Sequence, residues 1–179
     1  STSRKAGITA MQPEFDAFRE RCEAGTAQIV YDRVVADLET PVGTYLKLAG
    51  EAPFSFLLES VEGGATRGRY SIIGLEPDLL WRVRDGVAEV NRDAASDPAS
   101  FTPMDGHPLD ALRALLAESR ITLPPELPTN AAGVYGYLGY DMVRFMERLP
   151  DSNPDTLGVP EALMMRPSVI AVFDTVRDE

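Results

Sequence analysis

The stretch Phe54-Ser55-Phe56-Leu57-Leu58-Glu59-Ser60 is the centre of the fold that this sequence predicts. It is mostly apolar and rich in residues that favour β-structure, so it predicts a buried strand that ends on a carboxylate and a hydroxyl. A second strand is predicted over residues 69–75, close enough in sequence to pair with the first as a hairpin. We therefore expect a cleft beside Glu59 and Ser60 that binds a small zwitterion.

The composition is that of a globular, acidic protein. With 179 residues, 44% of them hydrophobic, the chain can bury a real core, and its length suits one domain better than two. The formal net charge of -11 repels a phosphate backbone, so we expect no nucleic-acid partner. The sequence has no apolar run long enough for a membrane span and no signal-peptide core, so we expect no membrane association and a cytoplasmic location.

The single cysteine and single histidine limit the available chemistry. A disulfide within the chain, a Cys/His zinc cluster and a Ser-His-Asp triad are each short of partners or nearly so. Cys22 lies on a predicted helix and is expected to be a small buried thiol. His107 lies in the turn sequence Asp105-Gly106-His107-Pro108, where we expect a solvated loop histidine rather than a proton shuttle.

Hydrophobic spacing predicts three helices. The first lies between Gln12 and Gly25, the second over residues 42–48 with Thr40 as its cap, and the third over residues 108–120. A short strand is predicted over residues 28–35, which are rich in valine. Residues 1–10 are small and polar, and we expect them to form a flexible tail.

Turn residues and alternation predict the remaining strands. Asp85-Gly86 is a strong hairpin signal between strands over residues 79–84 and 87–90, with Trp81, Val83 and Val87 on one side. Together with the first pair, these strands predict a four-stranded antiparallel meander. The glycine-rich run 131–141 predicts a central strand that another backbone approaches closely, rather than a phosphate loop. A helix of two turns is predicted to follow it over residues 141–147. A last strand is predicted over residues 167–176, and it needs a neighbouring strand. Either it inserts between strands of this domain or the chain is a fragment of a longer protein, and the second alternative is favoured.

These elements predict the α+β class, with an antiparallel sheet and helices packed on one side. On composition alone, the simpler interpretation is favoured for the candidate site: Glu59 and Ser60 are strand-end residues that bond to a neighbouring turn. Arg67 and Arg69 are expected to be solvated charges that contribute little.

A set of motifs in order resembles the N-terminal region of anthranilate synthase component I. The motifs lie at residues 37–48, 56–60, 68–74 and 133–141, and the similarity extends from about residue 12 to the end of the chain. Leu57-Leu58-Glu59-Ser60 is the most specific of them. Ile72 and Leu138 stand where many family members carry phenylalanine. The resemblance implies that residues 11–179 are the regulatory region of that enzyme and an incomplete part of a larger two-half sandwich.

The resemblance also implies a function. The family's large subunit converts chorismate to anthranilate with ammonia from a glutamine amidotransferase partner and with bound magnesium. The chorismate and magnesium residues belong to the family's C-terminal half, so we expect no catalytic or metal site here and an inactive chain. What the resemblance places in this chain is a site for the inhibitor L-tryptophan, with Ser60 as its contact and Glu59, Leu58 and Tyr70 as lining residues.

Three alternatives remain open at this stage. The first is component I of aminodeoxychorismate synthase in the folate pathway, which shares the architecture. The second is a free-standing amino-acid-binding regulatory module, and the third is a purely structural interaction domain. We also expect an exposed apolar patch that self-association covers, which would make the chain a homo-oligomer.

Overall fold

The computed structural model describes residues 11–60, 68–150, 154–174 and 176. Its helices are α1 (Phe15–Glu23), α2 (Pro41–Leu48) and α3 (Pro108–Glu118), and two 3-10 helices span Thr129–Ala131 and Tyr140–Phe145. Its strands are β1 (Phe56–Leu58), β2 (Tyr70–Arg84), β3 (Val87–Asn91), β4 (Thr102–Pro103), β5 (Tyr135–Leu138) and β6 (Ala162–Asp174). The expected tail, residues 1–10, lies outside the described residues.

The chain divides into two compact units. Its length alone favoured a single domain. Unit 1 comprises Ser1–Gly74, Ile121–Ala132 and Ile170–Glu179, and unit 2 comprises Leu75–Arg120 and Gly133–Val169. Strands β2 and β6 contribute residues to both units. No helix in the described ranges is long and apolar enough to cross a membrane.

The sheet confirms the predicted fold class. Its strand order is β4-β3-β2-β6-β5, with β1 paired to β2 beside this path. The pairs β1/β2, β2/β3, β3/β4 and β5/β6 are antiparallel. The last strand, β6, lies between β2 and β5, so its neighbours belong to this chain, which is the alternative that was not favoured. The prediction of a central strand in the glycine-rich run is wrong, since β5 lies at the end of the order.

Strand β2 replaces two of the predicted strands. It runs without interruption through Glu76 and Pro77, where the sequence suggested a break. The backbone of Glu76 adopts a left-handed φ of 52°, and its carbonyl accepts a hydrogen bond of 2.6 Å from the Ser168 hydroxyl. The Ser168 side chain of β6 therefore stabilises the irregular backbone at Glu76, where the sequence suggested a break between two strands.

The predicted hairpin between β2 and β3 is confirmed, but its register shows that Val87 lies on the face opposite to the predicted one. Asp85 and Gly86 both have positive φ, 51° and 77°, as a type I′ turn requires. Val83 pairs with Ala88, whereas Val87 pairs with Arg84. Since paired residues share a face and successive residues alternate, Val87 does not lie beside Trp81 and Val83 as predicted, and it is exposed.

Unit 2 encloses an apolar core beneath helix α3. Residues of one face of β2 meet residues of β3, α3, the second 3-10 helix and β6, and the cluster comprises Leu79, Trp81, Val83, Ala88, Ala111, Leu115, Met142 and Ala162. The ring nitrogen Nδ1 of His107 accepts a hydrogen bond of 3.3 Å from the amide of Leu109, so this exposed histidine caps α3. The predicted solvated histidine is confirmed, with a capping contact added.

Helices α1 and α2 of unit 1 form where predicted, but they bury little. The Thr40 hydroxyl accepts a hydrogen bond of 3.0 Å from the amide of Gly43, which confirms the predicted cap. Neither helix contains a buried residue. Cys22 is exposed, so the prediction of a buried thiol is wrong. Helical spacing identified the helix correctly but not whether anything covers its apolar side.

The strand predicted over residues 28–35 is absent. Only an isolated antiparallel bridge between Gln12 and Tyr31 occurs there. Strand β1 forms, but it has three residues and is half-exposed rather than buried as expected. Valine-rich sequence favours extended backbone, yet a strand also needs a neighbour that supplies its hydrogen bonds.

Candidate functional site

The candidate site is built on the pairing of β1 with β2. Phe56 pairs with Gly74, Leu57 with Ile73, and Leu58 with Ile72. Because residues directly opposite each other share a face, Leu58 and Ile72 lie on one face of this hairpin. Tyr70 begins β2 two residues before Ile72, so it lies on that face too, and Ser60 follows Leu58 by two residues, just beyond the end of β1.

The exposure of these side chains fits a surface that a ligand can reach. Ser60 and Leu58 are exposed, Tyr70 is half-buried and Ile72 is buried. Ile73, on the opposite face, is fully buried. One face of the hairpin therefore presents Leu58 and Tyr70 beside the buried Ile72, with the exposed Ser60 just past the end of β1, while Ile73 on the other face packs against protein.

The pairing of β1 with β2 places Leu58 and Tyr70 on one face, but it ends before Glu59 and Ser60. These two residues are exposed and directly follow the last residue of β1. The structure therefore places both of them at the end of the hairpin, next to Leu58.

Phe56 and Gly74, which the sequence pattern did not assign to the site, complete this face. A Cβ atom on Gly74 would overlap the ring of Phe56, at its atoms Cε1 and Cζ. The absence of a side chain at Gly74 therefore lets the aromatic ring lie across β2. A glycine inside a predicted strand is the signal that could have indicated this close approach.

The backbone that leads into β1 is held in place by contacts within unit 1. The hydroxyls of Tyr45 and Ser55 are 3.0 Å apart, and the Ser55 hydroxyl donates to the carbonyl of Ala52 at 3.0 Å. Phe54 adopts a left-handed φ of 55° just before the strand. These contacts tie the start of β1 to helix α2 and leave its other end, at Glu59 and Ser60, exposed.

Arg69 is the main charged group beside the site, and it is not simply solvated as expected. Its Nε donates to Asp174 Oδ1 at 2.8 Å, and its Nη2 donates to Asp174 Oδ2 at 2.6 Å. The hydrogen bonds to Asp174 raise the pKa of Arg69 further above its ordinary value. The guanidinium carbon lies 4.9 Å from the centre of the Tyr70 ring. Arg67 lies outside the described residues.

The residues of this site suit binding rather than bond-making chemistry. They supply a hydroxyl, a phenol, apolar groups and one arginine that is paired with a carboxylate. Within the described part of the chain, no group of three or more His, Cys, Asp or Glu side chains is arranged to hold a metal ion. A magnesium ion therefore has no fitting set of ligands among these residues.

Comparisons with known proteins point to one family. The chain is 54% identical over 165 residues to anthranilate synthase component 1 of Cereibacter sphaeroides, which covers 92% of this chain and 33% of the relative. It is 45% identical over 148 residues to the protein of that name from Thermus thermophilus, covering 80% of this chain and 29% of the relative. The chain thus spans about a third of the length of these curated relatives.

The fold comparison agrees with the sequence comparison. The crystal structure of anthranilate synthase component I from Streptococcus pneumoniae TIGR4 matches with a TM-score of 0.52 and 25% identity. This match covers 83% of the present chain and 30% of the solved one. No family model matches the chain.

Proposed function

Since the chain belongs to the anthranilate synthase component 1 family and spans about a third of its relatives' length, we propose that the whole protein makes anthranilate from chorismate and ammonia. We propose further that the present chain is the part that senses L-tryptophan. The observation that supports the sensing role is the exposed Ser60, which lies two residues beyond the end of β1 in the hairpin that also carries Leu58 and Tyr70.

The proposed ligand fits the residue types of the site. A zwitterionic amino acid needs hydrogen-bond partners for its charged groups, and the Ser60 hydroxyl can donate to the carboxylate. An indole needs an apolar surface, which Leu58, Ile72 and the ring of Tyr70 offer on the same face. Glu59, which immediately precedes Ser60, is the candidate partner for the ligand's ammonium group.

Inhibition follows if tryptophan binds one state of the enzyme more tightly than another. The ligand can shift that equilibrium only by its differential affinity, which in coupled sites amounts to about 1–3 kcal/mol. The proposal therefore requires that the sensing site change when the rest of the enzyme changes state.

The remaining parts of the reaction belong, in this proposal, to the longer protein. Chorismate and magnesium bind to residues outside this chain, a glutamine amidotransferase subunit supplies the ammonia, and the present chain alone has no activity. The complete enzyme is a lyase of tryptophan biosynthesis and acts in the cytoplasm. The exposed apolar side chains of unit 1 are covered by the rest of the protein, or by self-association when the chain is produced alone.

The alternatives differ in product and in length. The name shared by the relatives supports anthranilate over the aminodeoxychorismate of the folate pathway. The roughly threefold greater length of those relatives supports an enzyme over a free-standing regulatory module. Fluorescence of the product formed from chorismate and ammonia distinguishes anthranilate from aminodeoxychorismate. The length of the reading frame distinguishes an enzyme from a free-standing regulatory module.

Substitution of Ser60 in the full-length enzyme tests the sensing role. We expect Ser60→Ala and Ser60→Phe to raise the inhibition constant for tryptophan by about tenfold or more, because a contact to the ligand is lost or blocked. Activity without inhibitor should stay unchanged. Ser55→Ala is the matched control, since Ser55 bonds to Tyr45 and Ala52 at the other end of β1.

The result that contradicts the sensing role is equally specific. If both Ser60 variants keep the inhibition constant of the unmodified enzyme, Ser60 does not contact the inhibitor. If the unmodified enzyme makes anthranilate but does not respond to tryptophan, the catalytic proposal survives and the sensing proposal fails.

A further inference from the structure

We propose that Arg69 is a positioning residue for the tryptophan site, where it holds the Tyr70 ring in place by its paired contact with Asp174. This inference rests on the proposed function, because it concerns the same ligand. It adds a residue of β6 to a site that the sequence assigned to the region of β1 and β2 alone.

The argument begins with the ring of Tyr70. Tyr70 is the first residue of β2 and is half-buried, so packing alone restrains its ring less than it would in a core. The guanidinium of Arg69 lies over this ring, at 4.9 Å from its centre, within the range of a favourable cation–π contact. The position of the ring therefore depends on the position of the guanidinium.

The guanidinium is in turn fixed by Asp174. Both oxygens of this carboxylate accept hydrogen bonds from Arg69, at 2.8 and 2.6 Å, and this forked geometry defines the plane of the guanidinium. Asp174 Oδ1 also accepts a hydrogen bond of 3.1 Å from the amide of Val176, which orients the carboxylate. A chain of contacts thus connects the end of β6 with the ring of Tyr70.

The same contacts argue against a direct role for Arg69 in binding the ligand's carboxylate. Two of its donors already bond to Asp174, and the charge of the guanidinium is compensated by that carboxylate. A ligand carboxylate would have to compete with a bidentate pair whose geometry is already satisfied. Arg69 therefore acts through Tyr70 rather than on the ligand itself.

The chain offers a matched control pair in unit 2. Arg166 of β6 binds Asp78 of β2 through the same fork, at 2.8 and 2.8 Å. The side chain of Arg166 is 30% exposed and that of Arg69 is 31% exposed, so the two arginines are similarly solvated. Arg166 also donates to the Ser119 hydroxyl at 3.3 Å. In the described part of the chain, Arg166 makes no cation–π contact with an aromatic ring, unlike Arg69.

The experiment compares Arg69→Gln with Arg166→Gln in the full-length enzyme. We expect Arg69→Gln to raise the inhibition constant for tryptophan by about fivefold or more, with kcat and KM without inhibitor unchanged. Arg166→Gln should leave the inhibition constant unchanged, although it loses a pair of the same kind. Asp174→Asn should reproduce the effect of Arg69→Gln, and the double variant should add nothing to it.

A second variant keeps the test valid if Arg69→Gln folds poorly. Arg69→Lys retains the positive charge but loses the fork and the planar surface over Tyr70, so a smaller rise in the inhibition constant is expected. A thermal unfolding curve of each variant separates a loss of stability from a loss of ligand affinity.

Two outcomes overturn the inference. The first is an unchanged inhibition constant in Arg69→Gln and Arg69→Lys while Ser60→Ala lowers sensitivity, which leaves the proposed function intact. The second is an equal rise in Arg69→Gln and Arg166→Gln, which shows a general effect of removing such pairs. If tryptophan does not inhibit the unmodified enzyme at all, the proposed function fails and the inference fails with it.

Discussion

The two units of this chain differ in how far they bury their apolar side chains. Among the described residues, unit 2 encloses a cluster of buried side chains under α3, with Trp81 and Leu115 inside it. Unit 1 buries few apolar residues, namely Ala49, Ile72 and Ile73. Its exposed large apolar residues are Met11, Phe15, Val30, Val34, Val35, Leu38, Val42, Leu46, Leu48, Leu58 and Val176.

This difference has a physical meaning. Unit 2 also exposes some apolar side chains, but a packed core lies beneath them. The described part of unit 1 has amphipathic helices whose apolar sides face solvent, and such a surface normally marks an interaction. The contrast teaches that unit 2 has a packed core that stabilises it, whereas the described part of unit 1 leaves most of its large apolar side chains exposed.

The sharpest test of this comparison uses one leucine from a helix of each unit. Leu115 of α3 is 2% exposed and Leu46 of α2 is 65% exposed. We expect Leu115→Ala to lower the free energy of unfolding by about 3 kcal/mol, because it leaves a cavity in the core. Leu46→Ala should lower it by less than about 0.5 kcal/mol in this chain, since its side chain loses little burial. Urea unfolding measures both values.

The same leucine tests what covers unit 1. In the full-length protein, Leu46→Ala should cost more than in the present chain, because the proposed remainder of the protein buries this side chain. An equal, small cost in both proteins would mean that Leu46 stays exposed in the complete enzyme.

Gly74 of unit 1 and Gly136 of unit 2 allow the two units to be compared within the sheet. A Cβ on Gly136 of β5 would overlap the backbone carbonyl of Leu163, whereas one on Gly74 would meet only the ring of Phe56. Backbone cannot move without breaking the β5/β6 pairing, so we expect Gly136→Ala to cost about 2–3 kcal/mol. Gly74→Ala should cost about 1 kcal/mol, since a half-buried ring can rotate away.

Thermal or urea unfolding of the two alanine variants measures this difference. A cost for Gly74→Ala as large as that for Gly136→Ala would show that the Phe56 ring is held as firmly as backbone. Unit 1 would then be more rigid around the candidate site than its exposure indicates.

The smallest expected effect is electrostatic and lies in unit 2. Arg92 bonds to both oxygens of Glu118, at 2.8 and 2.9 Å, and this lowers the pKa of Glu118 from its ordinary value near 4.5. A carboxylate whose pKa is lower in the folded state stabilises the fold above its unfolded pKa. That contribution is lost as the pH falls through the folded-state pKa.

Arg92→Gln should therefore destabilise the chain only where Glu118 is ionised. We expect a loss of about 0.5 kcal/mol at neutral pH, because both side chains are partly exposed and solvent screens the pair. The difference from the unmodified chain should disappear in acid, as urea unfolding at two pH values will measure. Arg113→Gln, which breaks a more exposed pair with Asp110, is the control and should change nothing. A difference that persists in acid would assign the loss to packing instead.

Local sequence signals predicted much of the fold. Thr40-Pro41 marked the start of α2, Asp85-Gly86 marked the turn between β2 and β3, and leucine spacing marked α3. Each of these signals acts within a few residues, through a cap, a turn conformation or a helical face. The motif Leu57-Leu58-Glu59-Ser60 located the candidate site for the same reason, because its residues lie next to each other in sequence.

Predictions that depended on distant residues were less accurate. The exposed Cys22, the missing strand at residues 28–35 and the outward-facing Val87 each depend on which element lies beside them. The close approach at Gly136 was predicted correctly as a property of the glycine, but its partner Leu163 was not foreseen.

The sequence by itself therefore determined where helices and turns begin, which fold class they build and which short segment carries the candidate site. Only the tertiary structure decided that Phe56 crosses Gly74 and that Arg69 pairs with Asp174, a residue 105 positions away along the chain. The physical reason is that caps and turns are local free energies, whereas pairing, register and burial depend on which distant residues the fold brings together.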